Sequence, residues 1–370
     1  MKIAMIGQKG IAPGERAGGI EKHVAEISER LVGFGHDVTV YARAKYMPEM
    51  PRTYKGIDLI FLPTIYSKNL EAILHTFVST IHCLFQKYDI IHYHGVGPAT
   101  LAWLPKLFSR EPTVVVTFHS QDRFHAKWGL FARLYLHFGE WASAVFADYC
   151  ISVSHTMQVF IRDHYRREAI YIPNGAEIKD EQGVNLIEKF GLSKKGYLIN
   201  VGRIVPQKGL QFLIEAFQKL ETDKHLVIVG APSFSDDYYA LLRELANEND
   251  KIHFLGFQNG KTLDQLYANA YLYVHPSEAE GLPLVILEAM SFGLAPLVSD
   301  IEPNIEAIHG VGFTFPSGNV EELRQKLEYL VNNPAAVKNE GEEALATVDI
   351  HFNWDKITEH IEAVYITARH

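Results

Sequence analysis

Two glutamates, Glu280 and Glu288, are separated by seven residues and bracket a Gly281-Leu282-Pro283-Leu284 helix start. Ionised carboxylates accept hydrogen bonds from vicinal hydroxyls, so one can grip a sugar and the other a ribose. Upstream, Gly202-Arg203-Ile204-Val205-Pro206-Gln207-Lys208-Gly209 follows an apolar run. An arginine fork and a lysine point charge suit a diphosphate and would neutralise the charge that grows on a leaving phosphate. Taken together, the two clusters describe a site for a nucleotide diphosphate sugar. Each alone has a plainer account: cations flanking a turn, and a capping glutamate followed by a solvated helix glutamate.

Local chain chemistry supports the pairing. Gly202 lets the chain turn closely over a ligand, and Pro206 stiffens the loop that ends in Lys208-Gly209. Pro283 fits the first position of a helix, whose free N–H groups would point at an anion. Gly281 lets the backbone approach the ligand. The glutamates do not read as a general acid/base pair, because nothing indicates that they face the same bond.

The first half carries weaker signals. The glycine-rich stretch 7–21 joins a strand to a helix but is neither a P-loop nor GxGxxG. Gly18-Gly19 at its end could offer backbone N–H groups to the same diphosphate, although a mobile loop also needs glycine. His119 follows the apolar run 114–117, where a functional side chain would face a cleft; with 18 histidines in the chain, a satisfied structural role is the plainer reading of any one of them. His92 and His94 alternate along a strand and share a face. A metal site there would need a third ligand, and no nearby Cys or HxxE pattern supplies one, so no metal is expected. Residues 122–145 mix Arg123, Lys127 and Arg133 with Phe124, Trp128, Phe131, Tyr135, Phe138 and Trp141. That composition suits either an interfacial patch or a partly buried core helix.

These residues need a scaffold, and the apolar runs provide one. Strands are expected at 2–6, 37–41, 58–62, 90–93, 113–117 and 149–153, then at 197–201, 226–229, 252–255, 272–275 and 295–298. Alternation of such runs with helical patterns, including 210–220, argues for parallel sheets covered by helices. Both halves begin alike, with strand, glycine, polar loop and amphipathic helix, so each follows the doubly wound pattern. A chain of 370 residues exceeds one ordinary core. Pro173-Asn174-Gly175 marks the break. The expected domains are 1–175 with a returning tail 353–370, and 176–352. The tail reads as a helix over 353–367, with Trp354, Ile357, Ile361, Val364 and Tyr365 at helical spacing.

Composition narrows the class. A hydrophobic content of 47% with 21% charged residues suits a soluble globular protein. No secretory signal or membrane-spanning run is seen; the best stretch, 72–85, is interrupted by His75, Thr76, Ser79, Thr80 and His82. Cys83 and Cys150 form no CxxC, which suggests a reducing cytosol and no structural zinc. Residues 1–175 hold 19 Lys and Arg against 15 Asp and Glu, and the remainder 16 against 29. The basic half is where a membrane surface or anionic acceptor would dock, unless the asymmetry is ordinary surface variation. Nucleic acid is not an expected partner.

The motifs in order resemble the family-four retaining glycosyltransferases of GT-B fold, over nearly the whole chain. The family's E-x7-E corresponds to Glu280 and Glu288, and its G-R-x4-K-G to Gly202 through Gly209. Gly18-Gly19-Ile20-Glu21, Thr117-Phe118-His119-Ser120, Ile172-Pro173-Asn174-Gly175, Phe254-Leu255-Gly256-Phe257 and Trp354 also match. The resemblance implies that Arg203 and Lys208 bind the donor diphosphate, Glu288 the ribose, and Glu280 the donor sugar, with the backbone of Gly281 to Leu284 nearby. It implies that Gly256 and Phe257 hold the base, that Gly19 meets the phosphate, and that His119 sits at the reacting carbon. It further implies a tail helix crossing back to the first domain, a front-face retaining mechanism, and no metal requirement. The expected donor is a UDP-sugar, with GDP-mannose the other choice, and the acceptor a saccharide or lipid-linked saccharide. The expected location is the cytoplasm, at the inner face of the membrane. Ala176-Glu177 stands where many relatives have Val-Asp, and Pro283 replaces a common Phe; neither change removes a charged contact. Residues 7–13 and 126–129 resemble bacterial members that build cell-surface polysaccharides. Two rival readings remain at this level: a GT-B sugar-nucleotide epimerase, and a silent sugar-nucleotide-binding scaffold.

Overall fold

Continuous Val/Ile-rich runs buried on both faces are the signature of parallel strands, and in this chain they build two separate sheets. The structure, a computed structural model, describes residues 1–11, 18–47, 51–65, 70–108, 112–120, 129–233, 235–247 and 249–367. The chain divides into two compact units, Met1–Asn174 with Trp354–His370, and Gly175–Asn353.

The first unit holds β1 (Lys2–Ile6), β2 (Asp37–Ala42), β3 (Thr53–Tyr54), β4 (Ile57–Phe61), β5 (Ile90–His94), β6 (Thr113–Phe118), β7 (Tyr149–Ser152) and β8 (Ile170–Tyr171). Their order is β3-β4-β2-β1-β5-β6-β7-β8. All neighbours are parallel except β3 and β4. The second unit holds β9 (Tyr197–Val201), β10 (His225–Val229), β11 (Ile252–Phe254), β12 (Leu272–His275), β13 (Pro296–Ser299) and β14 (Phe313–Phe315), ordered β11-β10-β9-β12-β13-β14 and wholly parallel. In each sheet the order reverses beside the first strand, which is the switch point where open α/β sheets bind ligands at strand C-termini.

Three strands lie outside the sequence expectation: β3, β8 and β14. Each has two or three residues, too short to register as an apolar run. β3 is turned back on β4 by Lys55 and Gly56, both at positive φ, a hairpin signal that Lys-Gly carries less openly than Asn-Gly.

The tail helix Trp354–Thr367 belongs to the first unit. Trp354, Ile357, Ile361 and Tyr365 are buried at helical spacing. Polar contacts fix its register: Arg30 Nε donates to Asp355 at 2.6 Å, and His36 Nε2 meets Glu362 at 2.7 Å. Its Tyr365 hydroxyl reaches His92 Nδ1 inside the sheet at 2.6 Å.

The aromatic-basic stretch resolves into a helix at Leu130–Phe146. Arg123, Phe124, Lys127 and Trp128 lie outside the described residues, as do residues 12–17 of the 7–21 stretch. The helix buries small residues, among them Gly139, Ala142 and Ser143. Gly139 is required there, because a Cβ would lie 2.1 Å from the Val96 carbonyl oxygen. Its other face leaves Leu130, Phe131, Leu134, Phe138, Trp141 and Val145 exposed. The core-helix reading holds for the buried face, and the other face is apolar and exposed. No helix among the described residues is long and apolar enough to cross a membrane.

Candidate functional site

In the second unit, the loop after β9 is drawn onto the end of β12. Gly209 adopts the left-handed conformation at φ +63°, and a Cβ there would lie 2.1 Å from the Pro276 carbonyl oxygen. Only glycine permits that approach. The Glu278 N–H donates to the Gln207 carbonyl at 2.9 Å and stitches the two loops together. The three-residue 3-10 turn Pro206–Lys208 thereby delivers Lys208 to Glu280.

Glu280 is the centre of this unit's site. Lys208 Nζ, His275 Nε2 and Ser277 Oγ lie 2.5, 2.8 and 2.6 Å from the same oxygen, Oε1. Ser277 Oγ also lies 3.0 Å from the Gln207 carbonyl, but its single proton favours the charged oxygen. Every hydrogen bond to Glu280 among the described residues ends on Oε1, which leaves Oε2 to accept from a ligand hydroxyl. Burial would raise the carboxyl pKa, but the Lys208 charge and the His275 contact override it and hold the group well below the usual range.

His275 fixes the tautomer. An ionised carboxylate only accepts, so His275 Nε2 carries the hydrogen, and Nδ1 accepts from the Tyr273 hydroxyl at 3.0 Å. Burial is the main cause that lowers the His275 pKa, so the ring is a neutral donor. Sequence reasoning gives His275 and Ser277 no role. Their role depends on the loop folding back over the strand end, which spacing does not show.

The remaining second-unit residues fall around this centre or on neighbouring strand ends. Arg203 is exposed, and among the described residues its guanidinium makes no ion pair or hydrogen bond. Glu288 lies one turn into the helix Leu284–Ser291 and accepts from the Tyr267 hydroxyl at 3.3 Å. Pro283 is the residue before that helix, not its first position: its ψ of 102° is extended, and Leu284 opens the helix. Leu282 and Leu284 are buried, and Gly281 is half-buried. Gly256 follows β11, and its carbonyl accepts from the Gly230 N–H at 2.8 Å. Phe257 beside it is half-buried. The expected helix over 210–220 ends at Gln218.

In the first unit, β5 ends in His94 and β6 runs into His119. The register pairs His94 with Thr117, which sets the two imidazoles side by side. His94 Nδ1 and His119 Nε2 are 3.3 Å apart. His23, one turn into the helix Gly19–Gly33, closes the group edge-on to His119, with ring centroids 4.7 Å apart. His92 lies beneath, 4.1 Å from the His94 ring, held by Tyr365 and Thr117. The expectation that no third ligand neighbours the His92/His94 face is therefore corrected: His119 and His23 arrive from other elements. Linear spacing hides them because strand register decides who meets whom. Burial lowers the pKa of all four imidazoles, His23 to about 4, with neighbouring imidazoles adding to the effect at His92, His94 and His119. They are neutral near pH 7.

The Gly18-Gly19 turn needs a second correction. The Gly18 N–H is already used: it donates to Glu21 Oε2 at 2.7 Å, while Oε1 accepts from the Lys9 N–H at 3.0 Å. Glu21 thus supplies its own negative charge at the helix start. Gly19, the first helical residue, is among the first-turn N–H groups that have no intrahelical partner.

The sequence matches two family profiles, "Glycosyltransferase Family 4" over residues 17–180 and "Glycosyl transferases group 1" over residues 185–346. It is 27% identical to an uncharacterized glycosyltransferase of Methanocaldococcus jannaschii, over 100% of this chain and 98% of the relative. It is 28% identical to the Escherichia coli UDP-Gal:alpha-D-GlcNAc-diphosphoundecaprenol alpha-1,3-galactosyltransferase, over 67% of this chain and 68% of that one. Among solved structures, Anabaena HepE in complex with UDP and glucose superposes with a TM-score of 0.81 at 21% identity, over 99% of this chain and 100% of that one, and shares the GT-B fold.

Proposed function

The chain belongs to the family-four glycosyltransferases of GT-B fold, and from that premise we propose that it moves a hexose from a nucleotide diphosphate sugar to an acceptor hydroxyl with retention at the anomeric carbon. The observation that carries the reading is Glu280, held by three donors on one oxygen with the other left for a sugar hydroxyl. Arg203 and Lys208 bind the diphosphate. Glu288 takes the ribose. The backbone at Gly256 and Phe257 takes the base, and that at Gly281 to Leu284 lies along the donor. His119 acts at the reacting carbon.

In the proposed front-face reaction, the bond from the anomeric carbon to the leaving phosphate oxygen breaks as the bond to the acceptor oxygen forms on the same face. The acceptor proton passes to the leaving phosphate. The protein contributes positioning and charge stabilisation, and the departing diphosphate finds a cation waiting in Arg203. A UDP-sugar is the favoured donor, since the HepE complex and the galactosyltransferase name both carry UDP; GDP-mannose is the other choice. A lipid-linked saccharide is the favoured acceptor, by likeness to the diphosphoundecaprenol enzyme.

Arg203→Ala is expected to weaken nucleoside diphosphate binding by about 10- to 100-fold while leaving nucleoside binding unchanged. Arg203 is the cleaner test, because removing Lys208 would also strip Glu280 of its charge partner. Calorimetry with UDP and uridine reads the difference. Equal losses for both would remove Arg203 from the diphosphate.

The exposed face of the helix Leu130–Phe146 is proposed to rest on the inner face of the membrane, where a lipid-linked acceptor would be found. The chain is expected to pellet with anionic vesicles, and the double change Phe131→Ser with Leu134→Ser to reduce that fraction. Failure of the parent chain to pellet at low salt would remove the membrane from the account.

A further inference from the structure

The buried histidines of the first unit turn more lone pairs than hydrogens toward one another. The Asn174 amide oxygen accepts from His23 Nδ1 at 2.9 Å, so the lone pair sits on Nε2. His23 Nε2 is buried and has no partner among the described residues. His94 Nε2 lies 3.4 Å from the Met5 thioether, which can only accept, so the His94 lone pair sits on Nδ1. His119 donates from one nitrogen at a time and cannot satisfy both. One ligand atom from each of His23, His94 and His119 falls in a group whose members lie within 4.8 Å of one another.

We propose that His23, His94 and His119 bind one divalent transition-metal ion of the zinc class, and that the bound ion silences the enzyme by withdrawing His119 from the reaction. The inhibitory half rests on the role proposed above for His119; the binding half does not. Tetrahedral zinc with metal–nitrogen bonds of about 2.0–2.1 Å sets its ligand nitrogens about 3.3–3.4 Å apart. His94 Nδ1 and His119 Nε2 already stand at 3.3 Å, long for an N–H···N hydrogen bond. His23 completes the third side by a closing movement of at most about 1.5 Å. The outer nitrogens of His23 and His94 are tied to Asn174 and Met5, the arrangement by which a second layer of contacts fixes a ligating ring. Three neutral imidazoles with an open fourth position suit zinc, cobalt, nickel or copper over magnesium or calcium. His119 is the member with residual exposure, at 8% against 1% for the other two, so the ion would enter from its side. The ion is an inhibitor and not a requirement of the reaction.

The test is a titration of the chelator-treated full chain with Zn²⁺ by calorimetry, with Co²⁺ absorption reporting geometry. The expected result is one Zn²⁺ per chain with a dissociation constant of about 1 μM or tighter, and a four-coordinate Co²⁺ spectrum. His23→Gln and His119→Ala are each expected to weaken binding at least ~100-fold. His225→Ala, in the half-buried pair with His253 in the second unit, should change nothing. If His23→Gln does not fold, His119→Ala decides alone. A parent chain that binds no Zn²⁺, or binding that survives His119→Ala, overturns the proposal. UDP binding by the metal-free chain is measured alongside, so failure of this site and failure of the donor site are told apart.

Discussion

Lowering the pH from 7 to 5 is expected to unfold the first unit while the second stays folded. Five histidines of the first unit, His23, His75, His92, His94 and His119, are buried with lowered pKa values, His23 and His75 to about 4. Burial is the first cause in each case. A histidine whose folded pKa is depressed is neutral in the folded chain and charged in the unfolded one below about pH 6.5. Its stabilisation is therefore complete above that value and is lost as the pH falls toward the folded pKa. Five such groups give a slope approaching about 7 kcal/mol per pH unit, against a typical total stability of about 5–15 kcal/mol. The second unit carries fewer groups of this kind: His275 is buried, and His253 is only partly so. Its Glu280 loses stability in the same direction but in a lower window, because a depressed carboxyl pKa stabilises above about pH 4.3 and loses that contribution only below it. All four tryptophans, Trp103, Trp128, Trp141 and Trp354, belong to the first unit. Tryptophan fluorescence should report a transition near pH 5 that precedes much of the loss of far-ultraviolet ellipticity. Coincident transitions below pH 4 would contradict the buried neutral cluster.

His119→Ala is expected to lower kcat by about 10²–10³ while donor affinity changes by less than about threefold. The contrast follows from the chemistry assigned to each unit. The groups proposed to hold the donor sit around Glu280, and His119 touches none of them within its own unit. Its partners are His94 and His23. A neutral imidazole cannot supply a positive charge, so the contribution proposed for His119 is a directed hydrogen bond that strengthens as charge develops on the sugar. Steady-state kinetics with the cognate donor, together with calorimetry of the nucleoside diphosphate, separates the two terms. Equal turnover in the variant would remove His119 from the reacting centre. A loss confined to donor affinity would move it into the binding site instead. A thermal melt guards against misfolding, since the deletion leaves a polar cavity beside His94.

Much of this was legible because parallel strands announce themselves. Runs such as Thr113–Phe118, buried at every position, fit a strand covered on both faces. The spacing of Glu280 and Glu288 survives in a linear reading because one short loop and one helix turn separate them. What escaped depends on register and folding back. His94 meets His119 because β5 and β6 pair with a particular offset, and His23 joins from a helix whose packing no local pattern specifies. Glu280 is held by His275 and Ser277 through a tight loop made possible by Gly209, whose close approach to Pro276 has no counterpart in spacing. The capping role of Glu21 was equally hidden: Gly18-Gly19 suggested an open anion site, and the residue three positions on already fills part of it.

The most direct test of the account is a thermal-shift series with UDP, GDP, ADP and dTDP, the parent nucleosides, and then the matching sugar nucleotides. The two charged motifs predict that one nucleoside diphosphate raises the melting temperature progressively with concentration, that its nucleoside does so far less, and that Arg203→Ala abolishes the difference. That nucleotide would name the donor base and direct the search for the acceptor. If no nucleotide shifts the melt and calorimetry detects no binding, Arg203, Lys208, Glu280 and Glu288 are not a donor site, and the proposed transfer from a nucleotide sugar is wrong.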